Sequence, residues 1–227
     1  MIELLPDNSI GYSSYGGCLF QLGDRAGARE QLEIAVEIGS DYYAFHNLGT
    51  LEFYEGNFDE AIKLYRNALE IDDTDYWVWI GLGEALRFGG GSQDEVRDAY
   101  QKAADQVTHQ LETDPDNLEL RIDLASLQLQ LDRSEEARRI ISQLPLHDVT
   151  APHLMFSLAE IFEVLGDRTE ALEWIERALQ GGYPLHVIED YAAFADLRSD
   201  PRFRTLAETH AAQTSTDTDR HKKEGEK

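Results

Sequence analysis

Apolar residues in this chain recur at three-, four- and seven-residue offsets, as in Phe45, Leu48 and Leu51 and again in Ile62, Tyr65 and Leu69. Those intervals place them along one stripe of a helix. Small residues keep a second rhythm: Gly16-Gly23-Ala28-Ala35, Gly49-Gly56-Ala61-Ala68 and Ala159-Gly166-Ala171-Ala178 share the spacing seven, five, seven. Two looser copies follow, Gly83-Gly90-Val96-Ala103 with one extra residue in the turn, and Ala125-Asp132-Ala137-Leu144 with Asp in place of the turn glycine. A period near 34 residues predicts an array of like units.

One unit can be read from its small residues. Gly49 and Gly56 lie about two helical turns apart, so Gly56 falls past the end of the first helix and supplies a left-handed stop. Asn57 or Asp59 then caps a second helix, with Asp59 and Glu60 in its first turn. Ala61 and Ala68 are again two turns apart, where the missing side chains let the two helices approach closely. The expected unit is an antiparallel helix pair with apolar surface on two sides, which must stack on its neighbours to bury it.

These residues resemble the tetratricopeptide repeat family. Its pattern of aromatic, Leu-Gly, Tyr, Ala, aromatic, Ala and a closing Pro is matched by Trp79-x-x-Leu82-Gly83 and by Asp114-Pro115-Asp116-Asn117, and the likeness covers about residues 9 to 182. The resemblance implies an all-α, right-handed superhelix, an α-solenoid of about five helix-turn-helix repeats with a C-terminal helical cap. The repeats are assigned to 9–41, 42–75, 76–117, 118–151 and 152–182. The second helix of the third repeat is expected to run long, from about Asp94 to Leu111. That of the fourth is expected to stop early at Leu144-Pro145.

The ends differ. Residues 1–8 look like the tail of a second helix and its turn, a remnant of a preceding repeat left by excision from a larger protein or by a start placed at a domain edge. Residues 183–210, with Tyr191-x-x-Phe194-x-x-Leu197 and Asp200-Pro201-Arg202-Phe203, resemble the segment that closes repeat groups in bacterial proteins. Residues 211–227 carry no apolar stripe and are expected to be a disordered tail.

Charge narrows the partner class. Forty-four acids against twenty Lys and Arg give −24, and the tail contributes none of it because its four acids balance four bases, so the folded body carries the whole field. That field repels nucleic acid and anionic membrane and favours basic partners. Only five of the twenty bases are Lys, a balance that equally fits a high-salt cytoplasm. The single cysteine, Cys18, excludes an internal disulfide, is expected to be buried beside Gly16-Gly17, and leaves the cytoplasm as the expected compartment. No apolar run reaches the ~18 to 20 residues that span a bilayer.

Catalytic chemistry finds little support. Gly89-Gly90-Gly91-Ser92 follows a helix and lacks the Gly-Lys-Ser/Thr of a phosphate loop, so it reads as an elongated hairpin turn. His147 and His153 flank Pro152 at a spacing unlike a helical metal pair. Paired acids such as Asp72-Asp73 and Glu135-Glu136 sit where helices start or turn. No catalytic residue, metal ligand or cofactor is assigned.

Binding remains, and the family resemblance says where. First helices of successive repeats would line a concave groove, placing Tyr43, His46, Asn47, Thr50, Phe53 and Tyr54 there in repeat 2, and Trp77, Ile80, Glu84, Arg87 and Phe88 in repeat 3. Repeat 4 would add Glu119, Ile122, Asp123 and Ser126, and repeat 5 His153, Phe156, Glu160 and Glu163. Tyr43 and Trp77 are offset from the packing stripe and are candidate anchors, with covering of adjacent helices as the alternative. Asn47 matches one position of a family clamp for a terminal carboxylate, but Ser13 and Ile80 stand where Lys is wanted, so that ligand is disfavoured.

The expected function is a non-catalytic scaffold for a protein or peptide with apolar or aromatic and basic residues. The alternative is the regulatory region of a larger kinase, cyclase or transcription regulator. Self-association through the open N-terminal repeat face is a third reading.

Overall fold

Several helix starts in this chain are fixed by side chains that satisfy the first free backbone N–H groups. In a computed structural model, which describes residues 8–39 and 42–212, Asn8 accepts a hydrogen bond from Gly11 N at 3.1 Å to open α1 (Ser9–Gln21). Asp24 accepts from Gly27 N at 2.9 Å to open α2 (Arg25–Ile38). The chain divides into two units, Met1–Leu144 and Pro145–Lys227, and the break falls at the proline expected to stop the second helix of the fourth repeat.

The first unit continues with α3 (Tyr42–Tyr54), α4 (Phe58–Ile71), α5 (Tyr76–Gly89), α6 (Gln93–Thr113), α7 (Leu118–Gln130) and α8 (Ser134–Ser142). Consecutive helices pair as hairpins, and α1 with α3 and α3 with α5 also lie side by side. Between the two helices of a hairpin the backbone turns through positive φ, as at Gly56 (80°), and the same turn is made at Asp132 (61°) without a glycine. Asp tolerates that conformation better than most residues. Helix α6 is long, as its apolar stripe predicts, and opens with a capping box in which Ser92 and Glu95 satisfy each other's backbone N–H.

Close approach depends on absent side chains. The Tyr65 ring on α4 lies against Gly49 on α3 and Gly81 on α5, and a Cβ added to Gly81 would stand 2.5 Å from Tyr65 Cζ. Ala28, Ala61 and Ala103 are fully buried on the second helices.

The second unit holds α9 (Pro152–Val164), α10 (Arg168–Gln180), α11 (Leu185–Asp190) and α12 (201–212). Phe156 of α9 is covered by Tyr183, Tyr191 and Phe194, with ring centroids 4.8, 5.2 and 5.5 Å away. Among the described residues there is no strand, and no helix is long and apolar enough to cross a membrane.

Several expectations need correction. Cys18 is exposed, because it shares an outward stripe of α1 with Tyr15 and Leu22 while Gly16 and Phe20 turn inward. Asn57 precedes α4, yet its side chain makes no cap and donates instead to Glu52 Oε2 at 2.7 Å. Ala211 and Ala212 belong to α12 and not to an unstructured tail. The proposed remnant at residues 1–7 and the tail from residue 213 lie outside the described residues.

Candidate functional site

Each of α3 and α5 opens with two adjacent aromatic residues, Tyr42-Tyr43 and Tyr76-Trp77, separated by one repeat period. Successive helical positions point about 100° apart, so one ring of each pair enters the core and the other stays outside. Tyr42 and Tyr76 are buried, whereas Tyr43 is 54% exposed and Trp77 39% exposed. Each exposed ring rests on its buried neighbour, with centroids 4.7 Å apart for Tyr42–Tyr43 and 5.1 Å for Tyr76–Trp77.

Asp75 joins the two pairs. Its Oδ2 accepts from the Tyr42 hydroxyl, and its Oδ1 accepts from Trp77 N at 2.8 Å, capping α5. The carboxylate therefore sits at the junction of α3 and α5, one ring away from Tyr43 and one residue pair away from Trp77. Burial raises its pKa, and the Trp77 N–H offsets this only in part.

The neighbouring first helices make the surroundings acidic. Tyr76 donates to Asp123 Oδ2 on α7 at 2.8 Å. Burial and three surrounding carboxylates, Asp123, Glu119 and Asp75, push the Tyr76 phenol well up. Asp123 is raised to about 7, chiefly by burial, with Tyr76 opposing and Glu119 adding to the shift.

Other predicted surface residues divide into three groups. Some are partly buried links between helices: Asn47 Nδ2 donates to Ser13 Oγ at 2.8 Å, Thr50 Oγ1 donates to the His46 carbonyl at 3.1 Å, and Tyr54 packs on Phe20 at 5.3 Å. His46 lies between the rings of Tyr42 and Tyr65, and burial lowers its pKa to about 4. Ile80 packs partly buried on the core, Glu84, Glu119 and Ser126 are partly buried, and Arg87 donates to Gln130 Oε1 at 2.5 Å while lying over the Phe88 ring.

A second group turned inward, contrary to the groove expectation. Asp123 is 3% exposed, and Phe53, Ile122 and Phe156 are buried with it. Asp123 faces Tyr76 and Phe53 packs on Phe58 and Phe88, so their helices present these positions to neighbours and not to an open surface. The third group, His153, Glu160 and Glu163, belongs to the second unit, where Glu160 accepts from the Tyr191 hydroxyl at 2.9 Å and Glu163 pairs with Arg168.

Asp75, Tyr42 and Tyr76 were not singled out by the periodicity. The signal was present as an Asp-aromatic-aromatic run at Asp75-Tyr76-Trp77 and an aromatic doublet one period earlier. Among the described residues, no set of three or more His, Cys, Asp or Glu side chains converges to hold a metal ion.

Comparison with known proteins adds the family. Tetratricopeptide repeat profiles match residues 42–75, which span α3 and α4, and residues 97–154. These two stretches are tetratricopeptide repeats. Among curated relatives, this chain is 29% identical over 155 residues to BBSome complex member BBS4 of Bos taurus. The match covers 68% of this chain but only 28% of that relative's length. Among solved structures it is similar to a thermophilic TPR protein of Thermus thermophilus, with a TM-score of 0.56 at 17% identity, covering 82% of this chain and 99% of that one. It is also similar to a tetratricopeptide repeat protein of Parabacteroides merdae, with a TM-score of 0.53 at 15% identity over 81% of this chain and 69% of that one. At these identities the likeness is one of fold.

Proposed function

We propose that this chain is a non-catalytic scaffold that binds a partner protein through an extended or helical peptide laid across α3 and α5. One observation carries the reading: Tyr43 and Trp77 are large rings left exposed at equivalent positions of adjacent repeats, each fixed on a buried tyrosine. Rigid aromatic side chains with one free face lose little conformational entropy on binding and recur as interface anchors. The alternative of covering adjacent helices is already met by Tyr42 and Tyr76, which are the buried members of the two pairs.

Charge selects among partners. The chain carries −24, and Asp75 and Glu119 lie close to Tyr76, the buried partner of Trp77, so a partner with apolar and basic residues is favoured over nucleic acid. The test is affinity capture from native lysate with the intact chain and with a Tyr43→Ala, Trp77→Ala variant of unchanged helicity. A protein held by the first and lost by the second supports the reading. Equal recovery by both moves the site away from α3 and α5.

A further inference from the structure

A carboxylate at the edge of an aromatic surface is usually matched by a cation, because an unpaired charge is costly to desolvate. Elsewhere in this unit that match is made internally: Arg66 pairs with Glu95 at 3.0 Å, and Arg29 pairs with Glu52 and Glu55 at 2.6 Å each. Asp75 differs, as does Asp123, but Asp75 is only partly buried. Its partners are the Tyr42 hydroxyl and the Trp77 N–H, and among the described residues it takes no cation.

We infer that the corner formed by Tyr43, Asp75 and Trp77 seats an arginine side chain of the partner peptide, an inference that rests on the peptide-binding reading above. Geometry supplies three complementary features. Each oxygen of Asp75 accepts one internal hydrogen bond and retains a further acceptor position, so the carboxylate can take a guanidinium fork. Tyr43 packs on Tyr42, whose hydroxyl donates to this carboxylate, and Trp77 donates its own backbone N–H to it, so both exposed rings belong to segments tied to Asp75 and can offer faces to a planar cation. Glu119 on α7, partly buried and close enough to raise the pKa of the neighbouring Tyr76, has the sign that attracts one. The raised pKa of Asp75 agrees with a carboxylate held without a counter-ion until a ligand supplies it.

Arginine suits the corner better than lysine. A guanidinium stacks on a ring with its plane while its edge reaches a carboxylate, whereas an ammonium is a compact, strongly hydrated charge. Neutral apolar side chains would bury the rings and leave Asp75 unpaired.

The test uses the full chain and three capped tripeptides, Ac-Leu-Arg-Leu-NH2 and its citrulline and lysine counterparts, followed by NMR at the Trp77 indole, which Trp77→Phe assigns. The arginine peptide is expected to shift that resonance with roughly ten-fold tighter binding than citrulline, the scale of a charge-assisted hydrogen bond. Asp75→Asn should abolish the preference while α5 keeps its start, since Asn caps about as well as Asp. Equal binding of arginine and citrulline, equal binding of arginine and lysine, or a preference that survives Asp75→Asn would overturn the inference. If the peptides bind equally and all are lost in Tyr43→Ala, Trp77→Ala, the aromatic surface stands and only the arginine seat falls. No shift with any peptide, combined with a captured partner that still depends on both rings, has the same meaning.

Discussion

The Tyr76 hydroxyl donates to Asp123 Oδ2 at 2.8 Å across 47 residues of sequence, joining the start of α5 to the middle of α7. The bond is made out of water, where a carboxylate is poorly solvated, and its sign of charge is repeated nearby at Glu119 and Asp75. One hydroxyl does not neutralise that site.

The first prediction follows from the proton balance at Asp123. Its pKa rises from 3.8 to about 7 on folding, so its contribution is complete below about pH 4 and is lost as pH rises through 7. Replacing Asp123 with Asn keeps an acceptor for Tyr76 and removes the charge. At pH 8 the variant should be more stable than the parent by ~1 to 3 kcal/mol, and at pH 4 the difference should shrink. Thermal melts of both proteins across this range check it.

His46 has the opposite sign. Burial lowers its pKa from 6.5 to about 4, so the neutral ring supports the fold above pH 6.5 and that support is lost as pH falls through 4. His46→Phe, which keeps a ring against Tyr42 and Tyr65, should retain ~1 to 3 kcal/mol more stability than the parent at pH 4 relative to their difference at pH 8. Urea titrations at the two pH values give the comparison.

Arg29 tests the charge network between α2 and α3. Burial works to raise the Glu52 pKa, but hydrogen bonds from Arg29 and Asn57 outweigh it and hold the carboxylate below its usual range. Arg29→Met would leave Glu52 buried with Asn57 as its remaining partner, at 2.7 Å. A loss of about 3 kcal/mol is expected at neutral pH. The loss should lessen toward the pH at which Glu52 can protonate, which chemical denaturation at pH 5 and 8 would show.

Gly81 tests the packing. A methyl group there would stand 2.5 Å from Tyr65 Cζ and 2.8 Å from its hydroxyl, so Gly81→Ala should cost ~1 to 3 kcal/mol despite the better helix propensity of alanine. The control is Gly17→Ala, where the nearest atom is Asn47 Nδ2 at 3.9 Å and a small gain in melting temperature is expected.

Legibility in the sequence tracked the range of the interaction. The turn at Gly56, the length of α6 and the stop before Pro145 are set by residues within a few positions of one another, and all were readable from spacing. Tyr43 and Trp77 could be flagged because they fall off a regular stripe. Asp123 and Phe53 fall off it as well, yet they are buried, since periodicity gives the direction of a side chain on its own helix and not what the next helix places there. Cys18 failed for the same reason in reverse.

The sequence by itself therefore determined the helical hairpin, its turns and its small-residue contacts, which repeat locally with the 34-residue period, and its acidic charge. Tertiary structure alone decided which off-stripe residues remain open and which carboxylates lack a cation. Tyr42 reaches Asp75 across 33 residues, Arg29 reaches Glu52 across 23, and Tyr76 reaches Asp123 across 47. Those separations are set by how one hairpin stacks on the next, so the aromatic and acidic corner at α3 and α5 exists only once the repeats are packed.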